Sequence, residues 1–111
     1  APTYRHRDVR SHQERLARDF HEKDYRHAVR LMNRRINRRL KKDTRFGVTW
    51  KTDLEYEKLL CQTYRKVDEV TWKSYMRVVK KAAYSNEQPT ADEAILCYDV
   101  YKRILYLGFR R

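Results

Sequence analysis

Apolar residues recur at roughly helical spacing along most of this chain. From about Asp8 to Lys42 they are Val9, Leu16, Phe20, Ala28, Leu31, Ile36 and Leu40, a thin stripe on an otherwise polar stretch. This predicts a helical stretch with room for a break near Asp24, preceded by a polar arm at residues 1–7. Arg45-Phe46-Gly47 reads as a helix stop, with Gly47 suited to a left-handed cap. Thr52 with Glu55 forms a capping box that starts the next helix. Its inward face is Tyr56, Leu59, Leu60, Tyr64, Val67, Val70, Tyr75, Val78, Val79 and Ala82, in phase to about Tyr84. Ser85-Asn86-Glu87-Gln88-Pro89 is a loop. Thr90 with Glu93 is a second capping box, opening a helix from Ala91 to about Leu107. That last helix is apolar on most sides, at Ala94, Ile95, Leu96, Cys97, Val100, Tyr101, Ile104 and Leu105. Helices apolar all round are normally buried, so it is expected at the centre with the others wrapped around it.

The pattern predicts an all-α fold: a compact bundle of three to five helices, with a long basic N-terminal stretch packed on an apolar C-terminal helix. At 111 residues the chain suits a single domain. Its 2 Gly and 2 Pro are too few for the turns of an all-β fold. The basic face is expected mainly in 8–45 and the core mainly in 52–107. No apolar run approaches the ~18 residues of a membrane-spanning helix.

Charge sharpens this division. The net charge is +12, and residues 1–47 hold 15 Lys/Arg against 6 Asp/Glu while residues 48–111 hold 12 against 9. Arg34, Arg35, Arg38, Arg39, Lys41, Lys42 and Arg45 place seven cations within twelve residues, with Asp43 the one acid among them. Four-residue spacing aligns Arg26, Arg30, Arg34 and Arg38 along one side of a helix, with Arg35 and Arg39 beside them. Like charges at that spacing repel. Glu14–Arg18, Asp19–Lys23 and Glu22–Arg26 can offset charge in the first half of the stretch, but no such pairs follow. A solvated face is the bland explanation. An anionic partner is the sharper one, because so uncompensated a run exceeds what solubility asks for. Tyr4, Tyr25, Phe46 and Trp50 are the aromatic side chains placed to join such a contact, and Tyr106 is similarly free.

Catalytic and metal-binding patterns are missing. His6, His12, His21 and His27 form no tight ligand pair with cysteine, and no H-E-x-x-H or C-x-x-C occurs. No phosphate loop or nucleophile elbow can be built from 2 glycines. The expectation is a protein that binds without turnover and needs no metal or cofactor. Cys61 and Cys97 do not suit a simple disulfide. In an antiparallel hairpin about the 85–89 loop they would lie ~35 Å and ~10 Å from the turn at 1.5 Å per residue, whereas a disulfide needs α-carbons within about 7 Å. Buried free thiols are expected.

Trp72-Lys73-Ser74-Tyr75-Met76, followed by Lys80-Lys81 and then the Pro89 loop, resembles the gastropod sperm lysin family of abalone acrosomal proteins. Tyr64, Arg65 and Lys66 stand where that family carries a basic pair at matching spacing. Lys102-Arg103-Ile104 with Tyr106 and Phe109 is similar to its later basic-apolar segment. Upstream, Asp19-Phe20, the basic run and Phe46-Gly47 fall in matching order, so the likeness spans about residues 16–109. It departs from the family in carrying two cysteines, in an Arg/His-rich rather than aromatic N-terminal arm, and in ending soon after the last long helix. A diverged sperm paralogue fits these differences.

The resemblance implies an all-α bundle secreted from the acrosomal vesicle and acting in fertilization. Lysins bind zona-pellucida-type repeats of an egg-coat glycoprotein and open the vitelline envelope without cleavage, through basic tracks and an apolar patch. Carried onto this chain, the track is Arg26, Arg30, Arg34, Arg35, Arg38, Arg39, Lys41, Lys42 and Arg45. A fusogenic paralogue acting on the anionic egg membrane is the neighbouring alternative, and a homodimer stays open. A different class is an RNA-bound or structural subunit of a mitochondrial ribosome or inner-membrane complex. The Ala-Pro start, read as a processed terminus, suits secretion and mitochondrial import equally.

Overall fold

Helix boundaries in this protein follow side-chain capping chemistry. The structure, a computed structural model, describes residues 2–42 and 53–107, and all regular elements among them are helical. α1 runs Pro2–His21. Proline suits a first helical position because its missing N–H would have no intrahelical acceptor there. The expected polar arm is therefore helical from residue 2 onward. α1 ends in a Schellman motif: Asp24 N–H donates to Asp19 C=O at 2.8 Å and Lys23 N–H to Phe20 C=O at 3.3 Å. Lys23 takes the left-handed position with φ 60°. Asp24 then caps α2, Tyr25–Lys41, by accepting from His27 N–H at 3.3 Å. α1 and α2 thus form a tight helical hairpin, broken where Asp24 predicted.

The stretch expected as one helix to Tyr84 is two: α3, Asp53–Thr63, and α4, Glu69–Tyr84. Its apolar phase survives the interruption, which is why periodicity did not reveal it. The Asp68 carboxylate accepts from Thr71 N–H at 2.7 Å, so it starts a new helix instead of continuing the old one. That bond holds its carboxyl below the usual range. Val67 lies buried in the break, its N–H donating to Tyr64 C=O at 2.9 Å. Val70, expected to face inward, is 75% exposed. α5, Ala91–Lys102, opens with the expected reciprocal box: Thr90 N–H donates to Glu93 Oε1 at 2.9 Å and Glu93 N–H to Thr90 Oγ1 at 3.2 Å. A π-helical turn, Arg103–Leu107, follows it. The Gly47 stop and the Thr52 capping box lie outside the described residues.

Most core residues fall in 52–107, but α1 and α2 add a substantial share from the basic half of the chain. Leu16 of α1 joins Ala28, Val29, Leu31, Met32, Ile36 and Leu40 of α2, with Leu60, Val67, Trp72, Tyr75, Val78, Ala82, Ala94, Cys97, Val100, Tyr101 and Ile104. The hub is α2, which packs on α1, α4, α5 and the final turn. α5 is not wrapped on all sides, for Ile95 is 56% exposed and Tyr98 38%. Its buried stripe is Ala94, Cys97, Val100 and Tyr101, a helical face like any other.

Polar clamps fix the packing. Tyr75, fully buried, donates its hydroxyl to Asn33 Oδ1 at 2.6 Å, joining α4 to α2. Lys81 meets Glu93 at 3.0 Å and closes the α4–α5 hairpin. Arg103 reaches Lys66 C=O at 2.6 Å and Asp99 at 3.0 Å. Two ion pairs expected within the first helical stretch give way to contacts across elements. Lys23 lies past the end of α1, and Asp19 instead meets His27 Nδ1 at 2.6 Å. Arg26, the expected partner of Glu22, donates to Ala82 C=O in the last turn of α4, where carbonyls lack helical donors, and to Glu87 C=O in the loop beyond it. Cys61 and Cys97 are unpaired thiols on α3 and α5. Burial, then Glu93, pushes the Cys97 thiol up to about 12.

Candidate anion-binding face

α2 carries two faces that its sequence interleaves. One is the apolar stripe just described. On the other, Arg30, Arg34, Arg38, Lys41 and Lys42 are exposed. Among the described residues no carboxylate pairs with any of the five. Arg35 and Arg39 are half-buried at the stripe's edges and engaged within the protein, where a long aliphatic stem can pack while its head stays polar. Arg26 is withdrawn from the predicted track, because its guanidinium caps α4. Arg45 lies outside the described residues, as do Phe46 and Trp50. Tyr25 is half-buried edge-on against Phe20, with ring centroids 6.1 Å apart, so it acts in packing more than as a free contact. Tyr4 falls on α1 and Tyr106 on the final turn.

The α1–α2 hairpin adds a feature the linear pattern did not show. A cleft of about 140 Å³ between the two helices is lined, among the described residues, by Ser11, His12, Arg15, Leu31, Arg34, Arg35 and Arg38. His12 is stacked on the buried Tyr101 ring at 5.8 Å and 27°, which anchors this part of α1 to α5. Asp19 stands one turn beyond Arg15 but is occupied by His27. Ser11, His12 and Arg15 escaped the sequence reading because their partners lie about twenty residues away. The four-residue spacing of Ser11 and Arg15 was the one available sign of a shared face.

On the other side of α2, a broader groove of about 740 Å³ runs between α2, α3 and α4 past Asn33, Asn37, Tyr56, Trp72, Met76 and Lys80. Glu57, buried in its wall, lies 3.9 Å from Lys73. Burial, then Tyr64, pushes the Tyr56 phenol up to about 12, outside the range of a proton carrier at neutral pH. Of the residues that carried the family likeness, Trp72 and Tyr75 are buried, with ring centroids 5.0 Å apart. They frame the bundle and leave contact to the charged face.

Asp19, Asp24 and His27 place ligand atoms within 4.8 Å of one another, the one such trio among the described residues. Two local contacts account for it: Asp19 holds His27 Nδ1, and Asp24 caps α2. Among the described residues no helix is long and apolar enough to cross a membrane. No family model matches the chain, and neither a curated protein nor a solved structure matches it.

Proposed function

We propose that this protein is a non-enzymatic secreted sperm protein of the acrosomal vesicle. It binds an anionic egg-coat glycoprotein through the solvent face of α2 and acts in proportion to its amount. The observation that carries the binding reading is the exposed row Arg30, Arg34, Arg38, Lys41 and Lys42, held on the hub helix without carboxylate partners among the described residues. The like-charge repulsion this row stores is relieved when an extended anion lies along it. The choice of partner, a coat glycoprotein with zona-pellucida-type repeats, rests on the likeness around Trp72-Lys73-Ser74-Tyr75-Met76. Exposed Ile95 and Tyr98 on α5, with half-buried Phe20 at 5.9 Å from the Tyr98 ring, offer apolar surface, with the Lys102 ammonium 4.9 Å over the Tyr98 ring.

That same apolar surface favours a second reading, a fusogenic paralogue that engages anionic bilayers with basic and apolar faces together. The test mixes the folded protein with purified egg envelopes and, separately, with anionic vesicles. Envelope opening proportional to added protein, with full-length envelope chains and weakening as salt rises, is expected. Cleaved envelope chains, or opening by trace amounts, would overturn the binding mechanism. Vesicle fusion with intact envelopes moves the function to the membrane. A chain that fails to fold alone and acts in neither assay belongs with the assembly subunits.

A further inference from the structure

We infer that the cleft between α1 and α2 is a site for one terminal tetrahedral oxyanion, a sulfate or phosphate monoester carried by the partner. This deepens the coat-binding reading and rests on it for the identity of the carrier. The cleft is half-enclosed, about 140 Å³, and among the described residues it is lined by Ser11, His12, Arg15, Leu31, Arg34, Arg35 and Arg38, none of them a carboxylate. Arg15, Arg34 and Arg38, brought from two helices to so small a space, repel one another, and an anion between them relieves that repulsion. Guanidinium forks match the paired oxygens of a sulfate or phosphate, and a serine hydroxyl completes such a donor set.

Two features fix the frame of the cleft. The Schellman turn at Asp19–Asp24 and the Asp19–His27 contact fix how α1 lies along α2. The His12–Tyr101 stack ties the cleft wall to the core. With the helix pair fixed, only the arginine side chains remain to be ordered on binding. The size and enclosure select the class of anion. A terminal ester brings one tetrahedral group on a single stem. A nucleic-acid phosphate carries two bulky substituents and suits the open row along Arg30, Arg38 and Lys41 instead. Sulfated glycans on a secreted coat are the carrier that the proposed function supplies, and phosphorylated groups share the chemistry.

The experiment follows arginine side-chain NMR signals of the full chain during titration with glucose 6-sulfate, glucose 6-phosphate, inorganic sulfate and a short single-stranded RNA, with chloride keeping ionic strength constant. Saturable shifts are expected with the monoesters. Arg15→Gln should weaken their affinity about tenfold or more, the loss of one charge-assisted donor pair. Lys58→Gln, which removes one positive charge from exposed α3 surface away from the cleft, should leave it unchanged. Arg15 is exposed, so melting of Arg15→Gln should match the parent protein. A stronger response to the sulfate ester identifies a sulfated carrier, and to the phosphate ester a phosphorylated one; either supports the pocket. Shifts that never saturate, a response equal to that with chloride, an equal loss in Lys58→Gln, or preference for RNA each overturn it. Envelope binding without saturable monoester binding overturns the pocket and leaves the coat reading standing. Saturable monoester binding with no envelope binding supports the pocket and removes the coat.

Discussion

α2 and α5 lie against each other and invert what their compositions suggest. α2 is among the most charged segments of the chain, yet it packs on α1, α4, α5 and the final turn. α5 is apolar on most sides, yet it leaves Ile95 at 56% and Tyr98 at 38% exposure. The difference lies in arrangement. The apolar residues of α2 form one broad stripe, 28, 29, 31, 32, 36 and 40, all of them buried. Small Ala28 and Val29 let neighbours approach closely, and larger Met32 and Ile36 fill the space between. Its arginines stand on or beside the solvent face, where stems pack and heads stay wet. α5 also meets α1, α2 and α4, but it carries more apolar residues than the face it buries can hold. A central position follows from a stripe wide enough to meet several neighbours, whatever the polarity of the remaining face.

The sharpest way to break this comparison is to charge the hub. Ile36→Asp should abolish cooperative folding, since an unpaired carboxylate would sit in fully buried surroundings. Ile36→Ala should cost about 2–5 kcal/mol in urea denaturation. A well-folded Ile36→Asp protein would show that α2 is not the organising helix.

Charge on the other face of α2 should serve binding and not folding. Reversing Arg34 and Arg38 to Glu should weaken attachment to an anionic coat by roughly ten- to hundredfold at low salt, and by less at high salt. Melting should hold or rise slightly as like-charge repulsion is relieved. Lost folding would mean that this face, too, carries structure.

Arg26 marks the boundary between the two roles. Arg26→Met keeps the stem but removes the donors to Ala82 and Glu87 carbonyls, and should cost about 1–2 kcal/mol by thermal or urea melting. Coat binding should change little once the protein is folded. A large binding loss at unchanged stability would return Arg26 to the track.

α5 depends on its cap more than on being enclosed. Donation by Thr90 N–H, then by Lys81, holds the Glu93 carboxyl below its ordinary 4.5. A lowered folded value means the added stability is present above about pH 4.5 and fades as pH falls through the folded value. Glu93→Gln should therefore lower the melting temperature by roughly a few degrees at pH 7. The gap should shrink toward pH 3, as the wild-type carboxylate protonates. An equal gap at both pH values would separate the effect from the charge.

The smallest effect is expected at the most hydrophobic-looking site. Ile95→Asp should change stability by no more than about 0.5 kcal/mol, because the side chain already faces solvent. Loss of folding there would restore α5 to the centre.

Sequence by itself determined what is local. The all-α class, the break at Asp24, the 85–89 loop and the Thr90–Glu93 box were all legible, because caps and loops are settled among residues a few positions apart. The excess of positive charge on 30–42 was equally plain. The split at Asp68 was less so: its capping pattern was present, but the apolar phase ran through it and masked the break. Tertiary structure alone decided which helix became the hub, that Arg26 would serve α4 and that Asp19 would turn to His27. It alone brought Ser11, His12 and Arg15 to the arginines of α2. These outcomes depend on which stripe meets which neighbour across the bundle. Periodicity shows that a helix has a face to bury, but the partner for that face is chosen by the packing of all the helices at once.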